Sequence, residues 1–138
     1  MNTYIRKCHY HETDQMGVAH HTSYIKWLEE ARIFLMDEIG FSYKRMEEAG
    51  VISPIVSITC NYKMPIKFDE KAYITIHVDK YTGAKFLLSY EIRKEDGTLC
   101  LTANSSHCFL KNGQVVSIRR ELKEVDECFQ RYIENNND

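Results

Sequence analysis

One apolar stripe with helical spacing is followed almost entirely by period-two segments, and that imbalance limits the folds open to this chain. Tyr24, Trp27, Leu28, Ala31, Phe34, Leu35 and Ile39 recur at three- and four-residue intervals, the pattern of a helix with one buried side. Thr22 reads as its N-cap, the helix spans residues 23–39, and Gly40 closes it at the C′ position. A short second helix is predicted after Ser42, with Gly50 as its stop and Phe41 and Met46 at staple spacing. Strands are predicted at residues 3–10, 52–62, 72–80, 85–93 and 99–110, with residues 115–118 as a short hairpin partner. Turn chemistry separates them at Thr82-Gly83, Glu95-Asp96-Gly97 and Asn112-Gly113, and Pro65 falls between strands. Leu122, Val125, Phe129, Tyr132 and Ile133 predict a C-terminal helix before the polar tail 135–138.

The result is an α+β chain: one long helix against a curved antiparallel sheet of five or six strands, in a single domain over residues 1–138. One helix cannot cover both faces of such a sheet. The sheet must curl around it or use its other face and edge for self-association, so a homo-oligomer is expected on packing grounds.

Composition excludes several function classes. A net charge of −2 gives no general affinity for nucleic acid or anionic membrane. No apolar run approaches the ~20 residues of a membrane span, and residues 1–12 lack the apolar core of a signal peptide. Cys8, Cys60, Cys100, Cys108 and Cys128 are widely spread and form no C-x-x-C pair, so they read as buried thiols in a reducing compartment, and a cytoplasmic location is expected.

Thr13-Asp14-Gln15-Met16-Gly17 carries the chemistry. It sets an acid beside a Gly turn, seven residues before the start of the long helix. The first N–H groups of a helix lack intrahelical partners and carry partial positive charge. A carbonyl oxygen resting on them is polarised, and a nearby carboxylate can attack the carbon or activate water. The competing reading of Asp14 is an Asx turn, with the carboxylate tied to nearby amides. His9, His11, His20 and His21 invite a metal reading, but adjacent histidines point apart and no zinc spacing is present, so no metal and no cofactor is expected. Glu29 and Arg32 stand at i,i+3 and suit an ion pair or a contact with the loop before the helix; Trp27 and Phe34 read as core.

The run Tyr10-His11-Glu12-Thr13-Asp14-Gln15-Met16-Gly17-Val18-Ala19-His20-His21-Thr22-Ser23-Tyr24, followed by Trp27-Leu28-Glu29-Glu30-Ala31-Arg32, resembles the hotdog-fold acyl-CoA thioesterases, in particular the 4-hydroxybenzoyl-CoA thioesterase group. A second match is Tyr62-Lys63-Met64-Pro65-Ile66-Lys67-Phe68-Asp69-Glu70. The resemblance implies a hotdog fold, assembled as a homodimer or homotetramer with the active site at the dimer interface. It implies hydrolysis of an acyl-CoA, or acyl-carrier-protein, thioester. Asp14 is the implied nucleophile or base, the N–H of His21 the oxyanion donor, and the His21 imidazole an assistant; Gly17, Tyr24 and Lys85 are implied at the substrate. Lys63, Arg119 and Arg120 match the family's coenzyme A-binding bases more loosely. The alternatives are a non-catalytic acyl-CoA-binding module, which should lose the acid, and a hotdog hydroxyacyl-thioester dehydratase, which needs a His and acid pair.

Overall fold

The computed structural model describes residues 3–136. The chain runs β1 (Thr3–Lys7), a 3-10 turn (Tyr10–Glu12), α1 (His21–Ile39), α2 (Tyr43–Glu48), β2 (Val51–Ile52), β3 (Ile55–Tyr62), β4 (Lys71–Tyr81) and β5 (Lys85–Arg93). It continues with β6 (Leu99–Cys108), β7 (Leu110–Lys111), β8 (Gln114–Val115), α3 (Ile118–Glu121) and α4 (Lys123–Asn136). The main sheet is antiparallel in the order β1-β4-β5-β6-β3, and β2-β7-β8 form a small second sheet. This is the α+β hotdog arrangement, a long helix held against a five-stranded sheet.

The helical stripe does its expected work. Tyr24, Trp27, Leu28, Ala31, Leu35 and Ile39 are buried, while Phe34 stays half-buried at the rim against the Tyr4 ring. The sheet meets them with alternate residues: Ala72, Ile74 and Ile76 from β4, Phe86, Leu88, Tyr90 and Ile92 from β5. Register breaks at Val78/Lys80 and Ile55/Ser57 supply extra residues that bend the strands. Gly40 ends α1 at φ 109°, a conformation that carries little penalty only without a Cβ.

Several local expectations need correction. The N-cap of α1 is His20, not Thr22: the His20 Nδ1 accepts the Thr22 N–H at 3.1 Å. An imidazole nitrogen thus takes the place of the usual hydroxyl. The first strand stops at Lys7, because the next residues turn into the 3-10 segment. The run 52–62 is two strands that serve different sheets, β2 pairing with β7 and β3 with β6, separated at Ser53-Pro54. The run 99–110 likewise splits into β6 and β7. The Asn112-Gly113 hairpin closes β7 onto β8 at 114–115, and Ile118 starts a helix instead of ending a strand. α4 runs on to Asn136, taking in the start of the polar tail; residues 137 and 138 lie outside the described residues.

The other face of the sheet is polar, with Thr75, His77, Ser89, Glu91, Thr102 and Asn104 at facing positions. It tolerates water. The β3 edge is different: Ile55–Tyr62 carries no charged residue, and Ile55, Val56 and Tyr62 are exposed. Sheet edges left free are normally blunted by charge, bulge or cover. β1, at the opposite edge, has Arg6 and Lys7.

Candidate active site

Asp14 sits in a tight hairpin that returns the chain to the start of α1. The Asp14 N–H donates to the Val18 carbonyl at 2.9 Å, the Gly17 N–H donates to the Asp14 carbonyl at 3.0 Å, and Thr13 bridges to Ala19. Gly17, at φ 77°, supplies the left-handed residue that such a turn requires. The Asp14 Oδ1 accepts the Met16 N–H at 2.8 Å. The Asx turn is therefore present, and it orients the carboxylate: Oδ2 has no hydrogen-bond partner among the described residues.

The first turn of α1 is nearly saturated. Thr22 N–H goes to the His20 ring, and Ser23 N–H to the His20 carbonyl at 2.9 Å. The His21 N–H has no acceptor among the described residues. Its ring stacks on Tyr62 at 4.4 Å, and the Tyr62 hydroxyl donates to the His21 carbonyl at 3.3 Å. Tyr24 is buried and its hydroxyl accepts the Ile66 N–H at 3.1 Å, so it clamps the Pro65 loop to the helix.

What fixes this corner is a residue that the sequence reading passed over. Glu12 is buried and takes four donors: Arg6 Nη1 at 2.9 Å and Nη2 at 2.8 Å, the His9 N–H at 2.8 Å, and Trp27 Nε1 at 2.9 Å. Its carbonyl accepts from His20 N–H and Ser23 Oγ. Burial works to raise the Glu12 carboxyl pKa; the His9, Trp27 and Arg6 hydrogen bonds, with the Arg6 charge, outweigh it and hold the group below its usual value. Glu30 takes Arg6 Nε at 2.8 Å and the Tyr4 hydroxyl at 2.8 Å. His9, His11 and Glu12 lie together, but a carboxylate whose four acceptor positions are filled has none left for an ion.

Lys85 is not part of this corner. It lies opposite Cys108, whereas Tyr62, stacked on His21, lies opposite Leu101. The two ends of the sheet are about 20 Å apart at strand rise. Lys63 and Arg120 are exposed; Arg119 is engaged, its Nε on Asp126 Oδ1 at 3.1 Å and its guanidinium over Tyr81.

Near Lys85 a cavity of about 460 Å³ opens between α1, α2 and the sheet, lined by apolar side chains together with Glu29, Arg32 and His107. Glu29 and Arg32 form no ion pair among the described residues. Arg32 turns inward, and Nη1 donates to the Tyr90 hydroxyl at 3.2 Å. Tyr90 Oη lies 2.5 Å from Ser105 Oγ, which lies 2.7 Å from His107 Nε2. The His107 ring stacks on Phe86 at 4.6 Å and is 2 % exposed. Its position on an inward register of β6, next to Ser105 two residues earlier, was the available sequence signal.

Burial, assisted by the Arg32 charge, lowers the His107 pKa from 6.5 to about 4. The folded state thus binds fewer protons than the unfolded state between those values, so stability falls as pH drops through that window. The full shift corresponds to about 3 kcal/mol. Urea unfolding of the wild type should lose about that much between pH 7 and pH 4 from this residue, and His107→Gln should flatten the difference. A His107→Gln variant with an unchanged pH slope would contradict the assignment.

Residues 8–127 match the model of the thioesterase-like superfamily. The chain belongs to that family. It is 41 % identical over 98 residues to the Bacillus subtilis protein named "Putative acyl-CoA thioesterase YneP", covering 71 % of each chain. It is 34 % identical to an Aquifex aeolicus protein named "Putative esterase", across 88 % of this chain and 94 % of that one. The solved DHNA-CoA thioesterase of Staphylococcus aureus superposes with a TM-score of 0.91 at 31 % identity, covering 99 % of this chain and 94 % of that one.

Proposed function

We propose that this thioesterase-family chain hydrolyses an acyl-CoA thioester to a free carboxylic acid and coenzyme A, with Asp14 as base or nucleophile and the His21 N–H as oxyanion donor. One observation carries the site: the His21 N–H has no acceptor among the described residues, and the hairpin folds the Asp14 segment back to that helix start. With Asp14 as base, it takes a proton from water as the water oxygen bonds to the thioester carbon. The carbonyl oxygen becomes an oxyanion on the His21 N–H. Collapse of this intermediate breaks the C–S bond, and the departing thiolate takes up a proton. With Asp14 as nucleophile, an anhydride forms first and water then cleaves it. Gly17 shapes the turn, the Tyr24 hydroxyl holds Ile66, whose carbonyl accepts the Ala19 N–H behind the turn, and the exposed His21 ring beside Tyr62 assists at the thioester.

The catalytic unit in this reading is a homodimer, alone or paired again as a homotetramer. Antiparallel pairing of β3 with β3 of a second copy covers the uncharged edge. It also brings the Tyr62 end of one copy to the Ile55 end of the other. That sets Asp14 and His21 of one protomer beside the cavity and Lys85 of the other, closing the ~20 Å gap within a single chain. Lys85 would then meet the coenzyme A phosphates. Coenzyme A and an acyl-carrier protein share the pantetheine arm, and either carrier suits this layout. The five unpaired thiols agree with a cytoplasmic location, and no described helix is long and apolar enough to cross a membrane. The dehydratase alternative gains no support from His107, whose partner is Ser105 and not a carboxylate.

Thiol release from a panel of aromatic, short and long acyl-CoAs tests the activity. For the assembly, light scattering should give at least twice the 16.3 kDa chain mass. Thr59→Glu sets like charges across the β3 junction and should yield a folded monomer with turnover reduced by at least about 10²-fold. A fully active monomer would sink the shared site.

A further inference from the structure

The buried chain that ends at His107 has a direction, and Arg32 sets it. A guanidinium can only donate, so the Tyr90 oxygen accepts from Arg32 Nη1 and the Tyr90 proton goes to Ser105, the hydroxyl's other neighbour. Ser105 then has its own proton to give, and His107 Nε2 receives it. An imidazole accepting at Nε2 while neutral carries its proton on Nδ1. Every fully buried side-chain N or O atom of the described residues has a hydrogen-bond partner, yet Nδ1 has none among those residues. Nδ1 therefore borders open space, and His107 lines the cavity.

The cavity wall is otherwise largely apolar here, with Ile33, Met36, Pro54 and Leu88 around it. Into this surface the chain projects the Nδ1–H of His107, while Arg32, also on the wall, uses one of its five N–H donors on Tyr90. Both groups donate. A bare hydrocarbon would leave them unsatisfied, at a cost that a matching acceptor removes.

We propose that this cavity selects acyl groups carrying an oxygen acceptor, and that His107 is the specificity-determining residue that reads it. The inference rests on the thioesterase reading for its source of acyl groups. The oxygen is a hydroxyl, ketone or carboxylate on the acyl chain, held by the Nδ1–H with Arg32 alongside. Glu29, also on the cavity wall, disfavours a full negative charge close to it, so a carboxylate ranks below a hydroxyl.

Coenzyme A thioethers test this without turnover. S-hexyl-CoA is compared with hydroxyhexyl-CoA thioethers bearing the hydroxyl at each carbon from the third to the sixth, and with the 5-carboxypentyl thioether. Calorimetry on the dimeric protein should show at least one hydroxyalkyl thioether binding about tenfold tighter than S-hexyl-CoA. The carboxyalkyl thioether should gain less. His107→Phe keeps a ring against Phe86 and removes the donor, so the ratio of hydroxyalkyl thioether affinity to S-hexyl-CoA affinity should fall to about one. Tyr90→Phe cuts the chain between Arg32 and Ser105 and should reduce the preference with His107 still present. Nitrogen-15 spectra of the wild type should show Nδ1 protonated and Nε2 bare.

Equal affinities across the series, or a preference that survives in His107→Phe, would overturn the proposal. So would the opposite tautomer. Free coenzyme A is the control: if it loses affinity equally in His107→Phe, the acceptor belongs to the pantetheine amides and the proposal fails. A clear thioether preference without hydrolysis of any acyl-CoA would instead sink the thioesterase reading and leave this one standing.

Discussion

Asp14→Asn should fold like the wild type and lose turnover by on the order of 10²–10⁴-fold. The substitution is nearly isosteric. Its side-chain oxygen can still accept the Met16 N–H, and the hairpin bonds from Asp14 N–H to Val18 and from Gly17 N–H to Asp14 are backbone. The structural role of Asp14 therefore survives the change, and what is lost is the charge at Oδ2. A carboxamide is no base and a very poor nucleophile. Circular dichroism and unfolding midpoints should match the wild type, so that lost turnover cannot be charged to lost structure. A variant within a few-fold of wild-type turnover would reduce Asp14 to its Asx turn. Single-turnover hydrolysis in oxygen-18 water separates the two chemical routes: water attack at the Asp14 carbonyl of an anhydride leaves the label in the Asp14 carboxylate and the released acid unlabelled, whereas with Asp14 as base the label appears only in the released acid.

Glu12→Ala should be the most destabilising single change near the site, by about 3–5 kcal/mol. Removing this carboxylate strips two bonds from the Arg6 guanidinium and orphans the Trp27 Nε1–H and the His9 N–H in a buried corner. Arg6 keeps Glu30, which limits the loss. Glu12→Gln preserves the shape and an acceptor oxygen, so it should cost clearly less. Denaturant unfolding of both variants measures the difference. Equal and small costs for the two would mean that the network contributes little beyond packing. The same corner holds the Glu12 carbonyl against His20 and Ser23, so the residual native Glu12→Ala protein should also show a lower kcat as the start of α1 loosens.

The contrast between Asp14 and Glu12 shows what could be read from residues in order. The period of α1, its Gly40 stop, the Asn112-Gly113 hairpin and the in-out alternation of β5 are local properties. They depend on side-chain spacing and on backbone conformations that glycine alone adopts without penalty, so the linear sequence carries them. The Asp14-to-Gly17 turn belongs to the same class, because a carboxylate, a tight turn and a nearby helix start are all sequence neighbours. Glu12 looked like one more acid in a polar stretch. Its side-chain partners Arg6 and Trp27 come from two elements, β1 and α1, and no spacing rule links them.

Contacts between distant elements also set each departure from the local pattern. Thr22 has the usual capping chemistry, but His20 reaches the free N–H first because the Glu12 carbonyl holds the His20 backbone. Arg32 stands at ion-pair spacing from Glu29 and turns inward instead, toward a tyrosine 58 residues away. Ser53-Pro54 sits inside a continuous apolar run and divides it because two different sheets claim the halves. The sequence by itself determined the helix, the strand faces, the turns and the acid beside the helix start, all of which follow from interactions over a few residues. Only the tertiary structure decided that the His21 N–H has no acceptor among the described residues, that Lys85 and the cavity lie at the far end of the sheet, and that Arg32 and His107 both line that cavity. Those facts depend on strand order and register, which long-range packing sets, and a polar group's partners are known only once distant elements have met.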